Sequence, residues 1–201
     1  MAVISSEIVK TLRDKTGAGM MDCKHALQET NGDLEMAIDY LRKKGAAVAA
    51  KRAEKEANQG VIEAYVHAGS RIGAMVELNC ETDFVAKTPE FKQLAHDIAM
   101  QIAAMNPLFV SKENVDEATL QKEVEIYKAQ AVNEGKRPEI AEKIAEGRLE
   151  KYYQEVCLLE QSFIKDSGKT IKDLLSDATG KVGEKINVRR FHRYHLGESP
   201  S

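Results

Sequence analysis

Five histidines and three cysteines are the side chains of this sequence best suited to metal binding or nucleophilic chemistry. Their spacing supports neither. His25, His67, His96, His192 and His195 lack the His-Glu-x-x-His pattern of a zinc protease. His192 and His195 lie three apart on an alternating segment, so on a strand they fall on opposite faces. Cys23, Cys80 and Cys157 form no Cys-x-x-Cys pair, and their odd number fits reduced thiols rather than a disulfide framework. Gly17-Ala18-Gly19 lacks the lysine and the preceding strand of a phosphate cradle, and reads as a turn between helices. Arg189, Arg190 and Arg193 form the main basic cluster. They suit either RNA phosphates or a solvated strand face, and no stacking aromatic pattern of the RRM kind stands beside them. No catalytic set, no cofactor and no metal site of the chain's own is expected.

What remains is the stretch Glu77-Leu78-Asn79-Cys80-Glu81-Thr82-Asp83-Phe84-Val85-Ala86-Lys87. It follows an apolar strand and precedes a helix. Thr82-Asp83-Phe84-Val85 therefore sets a carboxylate beside a large aromatic ring at a strand-to-helix corner. Connecting segments run over the surface. Phe84 either folds back as a core plug or is offered to a partner, and residue type alone favours the core.

The elements that position this corner are legible from periodicity. Ser5 or Ser6 caps a first helix carrying Ile8, Val9 and Leu12 on one face. A second, starting near Met21, turns Cys23, Ala26 and Leu27 inward. Asp33 caps a third with Leu34, Ala37, Ile38 and Leu41, which Lys43-Lys44-Gly45 is expected to stop. Residues 46–59 are Ala-, Lys- and Glu-rich without an apolar stripe and read as a linker. Val61 to His67 alternates, with Ile62, Ala64 and Val66 on one face. Ile72, Ala74, Val76 and Leu78 share one face of the next run, and the Gly-containing loop between them makes a hairpin. Thr88-Pro89-Glu90 starts a helix whose face of Phe91, Leu94, Ala95, Ile98, Ile102 and Met105 should cover that hairpin. Residues 115–156 read as an antiparallel helical hairpin, with Leu120, Val124, Tyr127 and Ala131 facing Ile140, Ile144 and Gly147. A short helix is expected around Thr170–Ser176, a loop from Gly180 to Lys185, and a last strand from Ile186 to Leu196 that joins the hairpin. The tail from Gly197 to Ser201 is expected to be disordered.

The predicted class is thus α+β. A three-helix domain (1–45) and a linker (46–59) precede a core domain (60–201) with a three-stranded antiparallel sheet, packing helices and a protruding helical hairpin. At 201 residues, with 43% apolar and 30% charged residues, the composition is that of a soluble globular protein. A formal charge of −3 gives no general attraction to nucleic acid or to an anionic membrane. No apolar run approaches the roughly 18–20 residues needed to span a bilayer. Met1 to Glu7 shows no secretory signal.

Two motifs carry a resemblance. The segment Leu12-Arg13-Asp14-Lys15-Thr16-Gly17-Ala18-Gly19-Met20-Met21-Asp22-Cys23-Lys24-His25-Ala26-Leu27 is similar to the N-terminal signature of the elongation factor Ts family, whose core LRxxTGAGMMDCKxAL it matches throughout. The stretch from Glu77 to Lys87 resembles the family's second signature. Residues 139–148 look like its coiled-coil hairpin, and Ile186-Asn187-Val188-Arg189-Arg190-Phe191 like its closing strand. The chain holds one hairpin-plus-helix core unit where the longest members have two, and so resembles the short form, which implies a homodimer through the sheet. With no cysteine after Ile186, that dimer is expected to be noncovalent.

The resemblance implies a guanine-nucleotide exchange factor for elongation factor Tu, the GTPase that delivers aminoacyl-tRNA. The first three helices are expected to form a ubiquitin-associated-like fold that docks on the GTPase through Leu12, Arg13, Thr16, Gly17, Ala18, Gly19 and Met20. Thr82, Asp83, Phe84 and Val85 are expected to approach the partner's magnesium side, with Phe84 as the wedge. No direct nucleic-acid or membrane partner is implied, and the compartment is the bacterial cytoplasm, with a plastid as the alternative. Two other function classes remain open at this point: a ubiquitin-type adaptor using residues 5–45, and a ribosome- or RNA-binding protein using the three arginines.

Overall fold

Ser5 is extended and its hydroxyl accepts from the Ile8 N–H, which starts α1 (Ser6–Thr16). The computed structural model describes residues 4–198; the expectations for Met1–Val3 and for the tail beyond residue 198 lie outside the described residues. Gly17 ends α1 in the left-handed region (φ +66°), with its N–H on the Arg13 carbonyl. The following α2 (Met20–Glu29) and α3 (Leu34–Arg52, capped by Asp33) close a small core of Val9, Leu12, Cys23, Ala26, Leu27 and Ala37.

Gly45 does not stop α3, which runs on for two further turns to Arg52. Gly45 is buried in mid-helix because another helix passes over it. That helix, α8 (Ile171–Val182), also continues through the Gly180 expected to open a loop. The missing side chains let the two backbones approach: a Cβ built on Gly180 would sit 2.6 Å from the Gly45 Cα. The Arg42–Asp173 ion pair at 3.2 Å also links α3 to α8. These elements, together with residues 79–88, belong to one of the chain's two compact units, made of residues up to 60, 79–88 and 173–187.

The second unit holds residues 61–78, 89–172 and those from 188 on. Its sheet has the order β1 (Gln59–Val66), β2 (Ile72–Cys80), β5 (Asn187–His195), antiparallel, with β2 central. The fold is the expected α+β. Ala74, Val76 and Leu78 of β2 are buried as their alternation predicts. On β1 the inward set is the other one: Val61, Glu63 and Tyr65 are partly covered, while Ile62 and Val66 are 65% exposed each. The reason lies in α5 (Pro89–Met105). Its His96 sits 2.9 Å from the Glu63 carboxylate and edge-on to the Tyr65 ring, and its Ala103 carbonyl accepts from Arg193 at 3.1 Å. The polar residues of β1 have partners on the covered face, so its aliphatic set is turned outward.

Residues 117–133 (α6) and 138–156 (α7) form the expected antiparallel hairpin. Its seam is built on Ala131, Ala141 and Ala145, all at most 2% exposed, with Ile144 half-buried. Ile140 (48% exposed) and Gly147 lie outside the seam, not in it. Small alanines let the helices pack closely, and that shifts the α7 contact stripe by one residue. The mixed charges are cross-hairpin partners, as in Lys128–Glu142 (2.8 Å) and Arg148–Glu134 (3.0 Å). A two-stranded ribbon of β3 (Ser162–Phe163) and β4 (Asp166–Thr170), which the sequence reading did not anticipate, follows α7. The buried Gln101 amide ties it down, donating to the Ser162 carbonyl and accepting from the Ile164 N–H.

Candidate functional site

Cys80 ends β2 fully buried, and its thiol donates to the Thr82 carbonyl at 3.1 Å. Burial pushes the pKa of this thiol up and the nearby Glu184 charge adds to the shift, so Cys80 is a structural donor rather than a nucleophile. Thr82 is extended and caps a single helical turn, α4 (Asp83–Ala86), its hydroxyl oxygen accepting from the Val85 N–H at 3.5 Å. The corner expected between strand and helix is therefore a capped turn of its own.

That turn has one fully inward position, and Ala86 takes it at 6% exposure. Val85 is half-buried. Phe84 points the other way and is 81% exposed. The core-plug reading of Phe84 is thereby excluded: the ring lies on the surface. Asp83 is also exposed, with its carboxylate 2.6 Å from Lys87 Nζ one turn on. The hydrogen bond from Lys87, and then its charge, hold the Asp83 carboxyl below the usual carboxylate range. The turn thus presents a carboxylate, paired with Lys87, and a bare aromatic ring side by side.

Two glutamates that the sequence reading did not single out brace this turn. Glu184 accepts from both the Thr82 N–H (3.0 Å) and the Thr82 hydroxyl (2.7 Å). Glu81 accepts from Arg52 at the end of α3 (3.0 Å) and from the Lys185 N–H (2.7 Å). The Lys185 ammonium in turn donates to the Ala53 and Lys55 carbonyls. About a hundred residues separate the partners of the Glu184 and Glu81–Lys185 bonds. No local pattern announces them; the one hint was a glycine, Gly183, directly after a helix and before an acid.

The N-terminal signature divides between core and surface. Leu12 and Cys23 are fully buried. Thr16 bonds back to the Leu12 carbonyl at 2.7 Å, and its hydroxyl receives the Ala18 N–H at 3.3 Å, which shapes the turn before α2. Arg13, Gly17, Gly19 and Met20 are exposed. Met21 (74% exposed) joins Asp22, Lys24, His25 and Gln28 of α2 and Lys44 of α3 around a shallow depression. The two signatures are thus both represented in the first unit, one through α1 and α2 and the other through α4.

The arginine cluster is internally partnered. Arg190 and Arg189 approach the Glu77 carboxylate at 2.8 and 3.7 Å, and Arg193 pairs with Glu198 at 3.2 Å. Arg189 and Arg190 share that one carboxylate and stay 60% and 71% exposed. Among the described residues no group of three or more His, Cys, Asp or Glu is placed to hold a metal ion. No described helix is long and apolar enough to cross a membrane.

The family model described as elongation factor TS matches residues 4–198. The elongation factor Ts of Carboxydothermus hydrogenoformans is 60% identical over 196 residues, covering 98% of this chain and 90% of the relative. That of Moorella thermoacetica is 60% identical over 196 residues, covering 98% and 97%. That of Desulforamulus reducens is 59% identical over 198 residues, covering 98% and 91%. With both signatures intact and the match spanning nearly every described residue, the chain belongs to the elongation factor Ts family and so to the translation elongation factors.

Proposed function

We propose that this protein is a guanine-nucleotide exchange factor that binds the GDP form of elongation factor Tu, displaces the partner's Mg2+ and promotes GDP release so that GTP can enter. The observation that carries the proposal is Phe84, 81% exposed on a capped turn beside an ionised Asp83. On this braced turn the ring is placed so that a partner's pocket can take up nearly its whole surface.

The energetics are adequate. An exchange factor must bind the nucleotide-free state more tightly than the GDP state, and the coupling is reciprocal. A hundredfold weakening of GDP corresponds to about 2.7 kcal/mol of differential binding. Burying one phenylalanine is worth about 1.5–3 kcal/mol if its pocket exists only in the open state. Phe84 is the wedge in this scheme. Asp83, oriented by Lys87, supplies the charge next to the partner's metal ligands, while Thr82 and Val85 fix the turn. The chain performs no bond chemistry of its own; it changes which state of the GTPase is stable.

Residues 1–45, as a ubiquitin-associated-like domain, supply docking. Arg13, Thr16, Gly17, Ala18, Gly19 and Met20 form or shape the docking surface, and Leu12 supports it from the core. The outward sheet face, with Ile62, Val66, Met75 and Tyr194 all at least 49% exposed, suits a noncovalent homodimer. The protein works in the bacterial cytoplasm. Release of a fluorescent GDP analogue from elongation factor Tu, followed by stopped flow with and without the chain, tests the proposal. Acceleration that grows with chain concentration and saturates supports it; an unchanged rate overturns it.

A further inference from the structure

We infer that Glu184 is a positioning residue for the exchange turn, acting on Phe84 through Thr82; the inference rests on the exchange reading above. Thr82 carries three hydrogen bonds that form one relay. The Val85 N–H donates to the Thr82 hydroxyl oxygen, the hydroxyl proton goes to Glu184 Oε1, and the Thr82 N–H goes to Glu184 Oε2. A threonine hydroxyl has one proton to give. With a carboxylate receiving it, the oxygen lone pairs remain directed at the helical turn, and the cap keeps one rotamer. Without that acceptor, the hydroxyl is free to rotate and the cap loosens.

The two Glu184 bonds are charge-assisted, the stronger kind. Glu184 is itself half-buried and aimed by its own backbone. Gly183 ends α8 in the left-handed region (φ +73°), its N–H on the Thr179 carbonyl at 2.8 Å. That turn directs the next residue away from the helix, where a continuing helix would have carried it onward. Lys185 then locks the following peptide to Glu81 and to the end of α3. The bracket explains why a four-residue helix, too short to be stable alone, can hold a bare phenylalanine in one direction. A wedge delivers binding energy only where its direction is already fixed, since ordering it on contact would consume part of that energy.

The test compares full-length wild type, Glu184→Gln, Glu184→Ala, Phe84→Ala and the Phe84→Ala/Glu184→Ala pair. Amide hydrogen exchange is read at Thr82, Val85, Ala86 and Lys87, and catalysed GDP release is read as a function of chain concentration. Glu184→Ala is expected to speed amide exchange at these positions and to lower the maximal GDP-release rate by about tenfold or more, the loss typical of a charge-assisted hydrogen bond. The half-saturating concentration is expected to stay unchanged, because the docking helices are untouched. Gln, which keeps one acceptor oxygen, is expected to fall between Ala and wild type. In the Phe84→Ala background, Glu184→Ala is expected to have a much smaller effect, confined to what Asp83 on the same turn contributes. Unchanged amide exchange in Glu184→Ala overturns the inference, as does an unchanged maximal rate or an equal loss when Phe84 is absent. If wild type itself does not accelerate GDP release, the exchange reading fails, and the amide data still decide whether Glu184 holds the turn.

Discussion

Replacing Gly180 and Gly45 one at a time by alanine should have opposite effects, although the two glycines face each other. In helices, Gly to Ala gains about 1 kcal/mol from backbone propensity. At Gly45 the new Cβ would meet the Ser176 carbonyl oxygen at 3.6 Å and the Gly180 Cα at 3.8 Å, both ordinary contacts. Gly45→Ala should therefore keep most of that gain. At Gly180 the new Cβ would lie 2.6 Å from the Gly45 Cα and 3.5 Å from its carbonyl carbon. Those atoms are backbone inside α3 and have no rotamer by which to retreat, so the helices must separate. Overpacking of this kind costs about 1–3 kcal/mol, and a backbone clash belongs at the upper end. After the propensity gain, Gly180→Ala should be destabilised by about 2 kcal/mol. For a chain of this size the melting temperature should fall by about 4–8 °C for Gly180→Ala and rise by about 2–4 °C for Gly45→Ala. Differential scanning calorimetry and urea midpoints measure both. Equal destabilisation of the two variants, or a neutral Gly180→Ala, would refute the close-approach account of this helix pair.

Two other outcomes follow from burial and exposure. Burial pushes the Cys157 thiol up to about 11 from 9.0. Between these values the unfolded chain releases a proton that the folded chain keeps, so this contribution to stability is complete below pH 9 and is lost as pH rises toward about 11. Melting temperatures from pH 8 upward should therefore fall more steeply for wild type than for Cys157→Ala, and parallel curves would remove the thiol as the cause. On the outward sheet face, a lysine at Ile62 together with one at Val66 should convert the proposed dimer to a monomer with little loss of melting temperature, because both positions are 65% exposed. Light scattering that still gives a dimer would move the interface elsewhere.

The sequence made the elements legible wherever local chemistry decides. Ser5 and Asp33 cap the helices their side chains can serve, and Pro89 opens α5. It misled where a distant neighbour decides. Gly45 read as a stop and Gly180 as the start of a loop, yet each lies inside a helix and its purpose is visible only in the other. The outward turn of Ile62 and Val66 depends on His96, a residue on another element that claims Glu63 and Tyr65. On α7 the apolar Ile140 drew the stripe, while the seam follows Ala141 and Ala145, whose small size sets the helix spacing. Phe84 shows the same limit in reverse. Its residue type suggested burial, and only the inward claim of Ala86 on a single turn sends the ring outward. The four residues of the turn were identifiable by motif. Glu81 lies in the same motif, but its bracing role was not legible, nor was Glu184 at all, because their partners lie on other segments.

The most direct test of the account is the maximal rate at which the full-length chain, wild type or Phe84→Ala, releases a fluorescent GDP analogue from elongation factor Tu, with the melting temperature of each chain measured alongside. Because the ring is 81% exposed, its removal should leave the melting temperature nearly unchanged. Losing about 1.5–3 kcal/mol of burial in the open state of the partner should slow release by roughly tenfold to a hundredfold. An unchanged release rate in a folded Phe84→Ala chain, or a large loss of thermal stability, would contradict it.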